Sequence, residues 1–171
     1  MDESAAITSA PITGGIVGRE FLTHDIVRVD VQLDQPVNYK AGQFAELTLD
    51  SAKDAPRIYS FSNAPDKQGR VSFTIRRVPG GRFSTYVFDN YVEGETLTVR
   101  GPGGDFWLRE GKEKVVFISG GSGLAPMLGM LEEMERKGDR RPVTLMFGAR
   151  TEQDLYELKR LEAYANNWPE F

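Results

Sequence analysis

The hydrophobic period changes once along the chain, and that change limits the folds open to it. Between Ile16 and about Val99, several short runs carry apolar residues at every second position. Val27, Val29, Val31 and Leu33 do so over one strand length. Ala45, Leu47 and Leu49 repeat the pattern, then Val71, Phe73 and Ile75, then Leu97 and Val99. A period of two puts alternate side chains on opposite faces, as in antiparallel strands with one face in a core and one in water. Turn residues separate the runs: Asp34-Gln35-Pro36, Pro65-Asp66, Lys67-Gln68-Gly69, Pro79-Gly80-Gly81 and Glu93-Gly94. Several short strands at near-regular spacing over about 100 residues predict a small β-barrel or sandwich. Ser84 is placed to cap a short helix from Phe83 to Tyr91 over one mouth.

Beyond Gly101-Pro102-Gly103-Gly104 and the charged turn Arg109 to Lys114, the period is different. Val115 to Ser119 is an unbroken apolar run, expected of a parallel strand covered on both faces. A glycine-rich turn follows, then a helix with Met127, Met130, Leu131 and Met134 at helical spacing, which makes them core residues. Gly138 ends it. Val143 to Phe147 predicts a second buried strand. Thr151 then reads as the N-cap of a helix carrying Leu155, Leu158 and Leu161 on one face. This strand–helix–strand–helix order predicts a doubly wound parallel sheet. The fold class is therefore β-barrel plus α/β: a flexible lead over 1–10, a barrel domain over 11–109, and the first part of a nucleotide-binding domain over 110–171. Two parallel strands do not close a layered core, so Trp168 and Phe171 are expected to find little to pack against. The chain is expected to end inside its second domain.

Composition narrows the chemistry. Among 171 residues there is no cysteine and one histidine. Disulfides, thiolate metal sites, a cysteine nucleophile and a cysteine-held iron–sulfur cluster are excluded on this chain, and no metal is expected. Redox chemistry would have to come from a bound organic cofactor. His24, in a turn between Thr23 and Asp25, has no partner histidine and reads as a surface residue. Twenty-one basic and 25 acidic residues leave a net charge of −4, which argues against nucleic acid and anionic membranes as partners. No apolar run reaches the length of a membrane span, and the start MDESAAITSAP does not resemble a secretory signal. A cytoplasmic protein is the expectation.

Four stretches suit a nucleotide. Arg57-Ile58-Tyr59-Ser60 offers a guanidinium for phosphate, an aromatic face and a hydroxyl. Strand alternation sends Arg57 and Tyr59 to one side. Ile75-Arg76-Arg77 leads into Pro79-Gly80-Gly81-Arg82-Phe83-Ser84, where glycines before a helix start expose backbone N–H groups to an anion. Ser119-Gly120-Gly121-Ser122-Gly123-Leu124-Ala125-Pro126 joins a buried strand to a helix, the context of a dinucleotide turn, although its spacing is not G-x-G-x-x-G. Phe147-Gly148-Ala149-Arg150 ends the second strand at the same carboxyl edge, where Arg150 can reach an adenosine ribose or phosphate. Each stretch alone also reads as an ordinary turn or a solvated arginine.

In this order, with Gly101-Pro102-Gly103-Gly104-Asp105-Phe106 between them, the motifs resemble the ferredoxin–NADP reductase-like family from roughly Gly14 to the C-terminus. Within it the chain is most similar to reductase components of bacterial multicomponent oxygenases, of the benzoate dioxygenase and soluble di-iron monooxygenase types. The resemblance implies a six-stranded antiparallel FAD-binding barrel followed by an incomplete NAD(P)-binding domain. It implies that Arg57 holds the flavin's phosphates with Ile58 in the same site, Tyr59 packs on the isoalloxazine and Ser60 lies near flavin N5, the last two as catalytic residues. Gly81, Arg82, Phe83 and Ser84 would cradle the pyrophosphate, with Ile75 and Arg76 lining the pocket. Gly120, Gly121, Ser122, Gly123, Leu124, Ala125 and Pro126, with Ala149 and Arg150, would hold NADH or NADPH. The implied reaction is hydride transfer from NAD(P)H to FAD, then single-electron steps to a 2Fe–2S ferredoxin domain or protein that feeds an oxygenase. The resemblance leans toward NADH, whereas Arg150 alone is ambiguous. Lacking cysteine, the chain cannot carry the 2Fe–2S domain itself. The Cys-Gly-Pro segment and terminal aromatic that relatives carry later do not occur in it, so weak or no NADH turnover is expected. Rival readings are a flavin reductase that releases reduced flavin, a non-catalytic flavin-binding module, and an OB-type nucleic-acid barrel.

Overall fold

The computed structural model describes Ile7, residues 9–52 and residues 55–171; residues 1–6 and 8 of the expected lead lie outside it. The alternating half of the chain forms six strands: β1 Ile12–Phe21, β2 Ile26–Leu33, β3 Phe44–Thr48, β4 Arg57–Ser60, β5 Arg70–Arg76 and β6 Thr96–Gly103. All neighbours are antiparallel, in the order β4-β3-β6-β1-β2-β5. The two outer strands also meet. Phe61, just past β4, bridges Phe73 of β5, and the Ser62 N–H donates to the Ser72 carbonyl at 2.8 Å. The sheet thus closes into a barrel, which removes its free edges. Register follows the apolar pattern: Val27, Val29 and Val31 face Ile75, Phe73 and Val71 across the β2–β5 pair, all buried. A slip of one residue would turn this whole set to water.

Helix α1, Arg82–Asp89, lies at the barrel mouth with Phe83, Val87 and Phe88 buried. It begins one residue earlier than expected and its N-cap is Gly81, with no side-chain cap. Ser84 is not the cap; it sits inside the first turn, where its Oγ accepts the Val78 N–H at 3.0 Å.

The second half contributes β7 Val115–Gly120, α2 Ala125–Lys137, β8 Val143–Gly148 and α3 Leu158–Asn167. Strands β7 and β8 pair in parallel, from Val115 opposite Val143 to Gly120 opposite Gly148. Helix α2 buries Met127, Met130, Leu131 and Met134, and ends on Gly138 in the left-handed region at φ 68°. Four expectations are corrected here. The β7 run is not covered on both faces: Val115 and Phe117 are buried, but Val116 and Ile118 are 53% and 69% exposed, as is Met146 of β8 at 54%. The described elements that pack on this sheet meet the face of Val115, Phe117 and Val143. Thr151 forms a capping box with Asp154 around a single 3-10 turn, Glu152–Asp154, and does not cap α3. Helix α3 buries Tyr164 where a leucine stripe was expected, and Leu158 is 45% exposed. Trp168 is 3% exposed, packed with Tyr164 and Phe171 under the Arg140 guanidinium. Aromatic rings large enough to cover each other supply the core that two strands alone could not.

Helix α2 also docks on the barrel. A Cβ at Gly129 would lie 2.9 Å from the Asn63 carbonyl oxygen, so glycine permits this backbone approach. Glu132 accepts the Ala64 N–H at 3.2 Å, and Arg136 donates to the Pro65 carbonyl at 2.9 Å. No described helix is long and apolar enough to cross a membrane.

Candidate functional site

On the barrel side, β4 carries the first motif. Arg57 lies opposite Leu47 and Tyr59 opposite Ala45, both fully buried, whereas Ile58 lies opposite Glu46 and is 61% exposed. Directly opposed residues share a sheet face, so Arg57 and Tyr59 share the inward face at the barrel's open end. Arg57 is exposed, and Tyr59 and Ser60 are half-buried. The Tyr59 ring lies 5.6 Å from that of Phe83, which joins β4 to the start of α1. Phe83 and Ser84 are buried, so this turn presents backbone and the exposed Arg82 side chain. Ile75 is 1% exposed inside the barrel and can meet a ligand only through its main chain. Arg77 points its charge elsewhere, donating to Asp89 at 2.6 Å beside the Phe88 ring.

On the sheet side, the carboxyl ends of β7 and β8 open into a cavity of about 380 Å³. Gly120, Gly121, Gly148, Ala149, Arg150 and Asp154 line it from the sheet, and Asp25, Ile26 and Arg76 from the barrel. Gly121 favours glycine, since its φ is +52°, where most L side chains are strained. Gly120 and Gly123 do not: a Cβ at Gly123 would meet nothing within 4 Å, and one at Gly120 only the Gly148 carbonyl at 3.6 Å. Internal packing leaves room there that a phosphate on the backbone would use. The Tyr156 hydroxyl, its pKa pushed up by burial, donates to the Gly121 carbonyl at 2.9 Å and fixes the turn. Ser122 is half-buried beside the turn. Leu124, Ala125 and Pro126 are buried in the core and set the helix start without lining the cavity.

Charge is concentrated where the two sides meet. Asp25 Oδ2 takes Arg76 Nε at 3.1 Å and Nη2 at 3.0 Å, and Arg150 Nη2 at 3.3 Å; its Oδ1 takes the Thr23 hydroxyl at 3.0 Å. Burial by itself would raise the Asp25 pKa, but the Thr23 and Arg76 hydrogen bonds and the Arg76 charge hold it below the usual carboxylate range. Asp154 Oδ2 accepts the Thr151 N–H and hydroxyl at 3.1 and 3.0 Å. Its buried Oδ1 accepts no hydrogen bond among the described residues, although the imidazole of exposed His24 lies 3.5 Å away. Ser119 Oγ, at the end of β7, is likewise buried without a partner. The site thus brings together Arg76, Gly120, Gly121, Ala149 and Arg150. Asp25, Ile26, Gly148 and Asp154 also line it, and no local pattern marks them. The open glycines fit a nucleotide phosphate resting on the turn's backbone N–H groups, and the carboxylate-paired guanidiniums beside them fit its hydroxyls.

Known proteins match along the whole of this arrangement. Residues 14–107 match the family model of the oxidoreductase FAD-binding domain, and residues 117–171 that of the oxidoreductase NAD-binding domain. The reductase component of the naphthalene 1,2-dioxygenase system of Pseudomonas putida is 38% identical over 170 residues, 99% of this chain and 51% of that protein. The electron transfer component of xylene/toluene monooxygenase, also from Pseudomonas putida, is 42% identical over 147 residues, 86% of this chain and 42% of that protein. Among solved structures, a cytochrome P450 reductase from Amycolatopsis superposes with a TM-score of 0.87 at 32% identity, covering 95% of this chain and 50% of that one. The chain spans about half the length of these relatives. With a flavin-type barrel and a nucleotide-type sheet in this order, it belongs to the family of oxidoreductases built from an FAD-binding domain followed by a NAD-binding domain.

Proposed function

We propose that this chain is the flavin- and nucleotide-binding portion of a reductase that passes electrons from NAD(P)H through FAD to an iron–sulfur acceptor serving an oxygenase. One observation carries the reading: Arg76, from the barrel, and Gly120 and Gly121, from the parallel sheet, line a single cavity. A flavin on the barrel and a nucleotide on the sheet would therefore meet across it. The boundary between the two units is taken at 109/110. Bound FAD would supply the exchange between a two-electron donor and a one-electron acceptor.

The chain's own residues bind and orient. Arg57 would fork onto a flavin phosphate, since its guanidinium is exposed on the inward face of a strand end. Tyr59, half-buried against Phe83, would pack on the ring system, with Ser60 beside its reacting edge and Ile58 on the outer side. The backbone from Gly81 to Ser84, with Arg82, would face the pyrophosphate at the N-terminus of α1. The turn from Gly120 to Gly123 would do the same for the nicotinamide nucleotide, with Leu124, Ala125 and Pro126 holding the helix behind it. Position, not acid–base chemistry, is what these residues contribute. The absence of cysteine calls for a 2Fe–2S centre on another segment or another protein, with the oxygenase as its partner. The cytoplasm, which holds reduced nicotinamide nucleotide, suits such a reductase.

The test is FAD uptake. The purified chain should bind FAD and show flavin absorbance, and Arg57→Ala should weaken FAD binding by about tenfold through loss of a charge-assisted phosphate contact. A chain that takes up no FAD would refute the reading.

A further inference from the structure

In open α/β sheets the carboxyl end of the second strand meets the adenosine ribose, and the side chain there sorts nucleotides. An acid accepts the 2′-hydroxyl, whereas an arginine meets a 2′-phosphate. Arg150 occupies that place here, just past β8, and an arginine free of carboxylates there would meet a 2′-phosphate. Its surroundings oppose this. Arg150 Nη2 lies 3.3 Å from Asp25 Oδ2, and its Nε 3.7 Å from Asp154 Oδ2. Arg76, the other cation of the cavity, already forks onto the same Asp25 oxygen. Two guanidiniums thus face two carboxylates, and their charges cancel, which leaves Arg150 no surplus positive charge for a 2′-phosphate. Asp154 adds a second carboxylate to the cavity wall, and its negative charge repels a 2′-phosphate.

We propose that Asp25, seconded by Asp154, is a specificity-determining residue. By neutralising Arg150 it selects a nicotinamide nucleotide with a free ribose 2′-hydroxyl over its 2′-phosphorylated counterpart. This rests on the nucleotide reading of the cavity given above. Asp25 reaches Arg150 across 125 residues of sequence, from the barrel to the sheet, so the selecting acid and the ribose-end arginine belong to different halves of the chain.

The experiment is calorimetric titration of the purified chain with adenosine 5′-monophosphate and adenosine 2′,5′-bisphosphate. The readout is the ratio of the two affinities, which cancels any general loss of fold. Asp25→Asn keeps an oxygen for the Thr23 hydroxyl but removes the charge. It should raise the ratio in favour of the bisphosphate by about tenfold, the scale of one unit charge close to a phosphate. Asp25→Asn combined with Arg150→Gln should return the ratio to that of the wild type. Arg28→Gln breaks a neighbouring barrel–sheet ion pair, Arg28–Glu157 at 3.1 Å, without touching the cavity, and should leave the ratio unchanged. An unchanged ratio in Asp25→Asn, with monophosphate binding intact, overturns the proposal while leaving the nucleotide site standing. So does an equal rise in Arg28→Gln, because loosening and not charge would then be the cause. Failure of the wild type to bind either probe removes the nucleotide reading itself, and the selectivity with it.

Discussion

Tyr156 shows how one side chain far from the glycine-rich turn governs it. Its ring packs edge-on against Phe147, 5.3 Å away, and its hydroxyl satisfies the Gly121 carbonyl inside the protein. Removing that hydroxyl leaves a carbonyl short of a partner and a residue at φ +52° with one restraint fewer. Tyr156→Phe should lower stability by about 1 kcal/mol, read from the shift of the urea midpoint. It should also weaken adenosine 5′-monophosphate binding by about threefold, because a looser turn must be ordered on binding. At the residue scale the motif types were legible: Arg57, Tyr59 and the glycines stand where strand alternation and turn chemistry put them. The roles of Asp25, Asp154 and Tyr156 were not, because a carboxylate or a phenol carries no local sign of the group it will meet.

At the scale of elements, helix α2 links the glycine-rich turn after β7 to the barrel, and Gly129 sets how closely. Alanine at an interior helical position gains about 1 kcal/mol over glycine in propensity. Here the added Cβ would sit 2.9 Å from the Asn63 oxygen and 3.3 Å from the Asn63 carbonyl carbon, both backbone atoms that cannot turn aside. Overpacking of this kind costs roughly 1–3 kcal/mol. Gly129→Ala should therefore destabilise despite its better propensity, and a raised urea midpoint would show that α2 can shift freely. The elements themselves were mostly legible, since period two and helical spacing are properties of consecutive residues. The start of α1 was misread because Ser84 uses its oxygen on Val78, within the first turn. The Thr151 capping box was real but belongs to a shorter turn than expected.

For the molecule as a whole, two carboxylates tie distant segments and titrate below the ordinary range. Asp139 does so chiefly through hydrogen bonds from Arg141, which also donates to the Arg109 carbonyl and so fixes the α2–β8 loop to the inter-unit segment. Asp25 joins barrel to sheet. A carboxylate whose folded pKa lies below its unfolded value of about 3.9 stabilises the fold above that pH, and the gain disappears as pH falls through the folded pKa. The urea midpoint should therefore hold level from pH 7 to about 5 and decline below about 4. Asp139→Asn should be less stable at neutral pH and show a shallower acid decline; an unaltered slope would remove Asp139 from this account.

The sequence by itself determined the barrel, the parallel strand pair, their order, and the two glycine-rich turns, one before α1 and one after β7. Each of these rests on periodicity and backbone preference among neighbouring residues. Only the tertiary structure decided that Trp168 is buried, that one face of the parallel sheet stays exposed, and that Arg150 stands beside Asp25. Burial and charge compensation depend on distance in space, and a distance of 3.3 Å across 125 residues leaves no trace in local pattern.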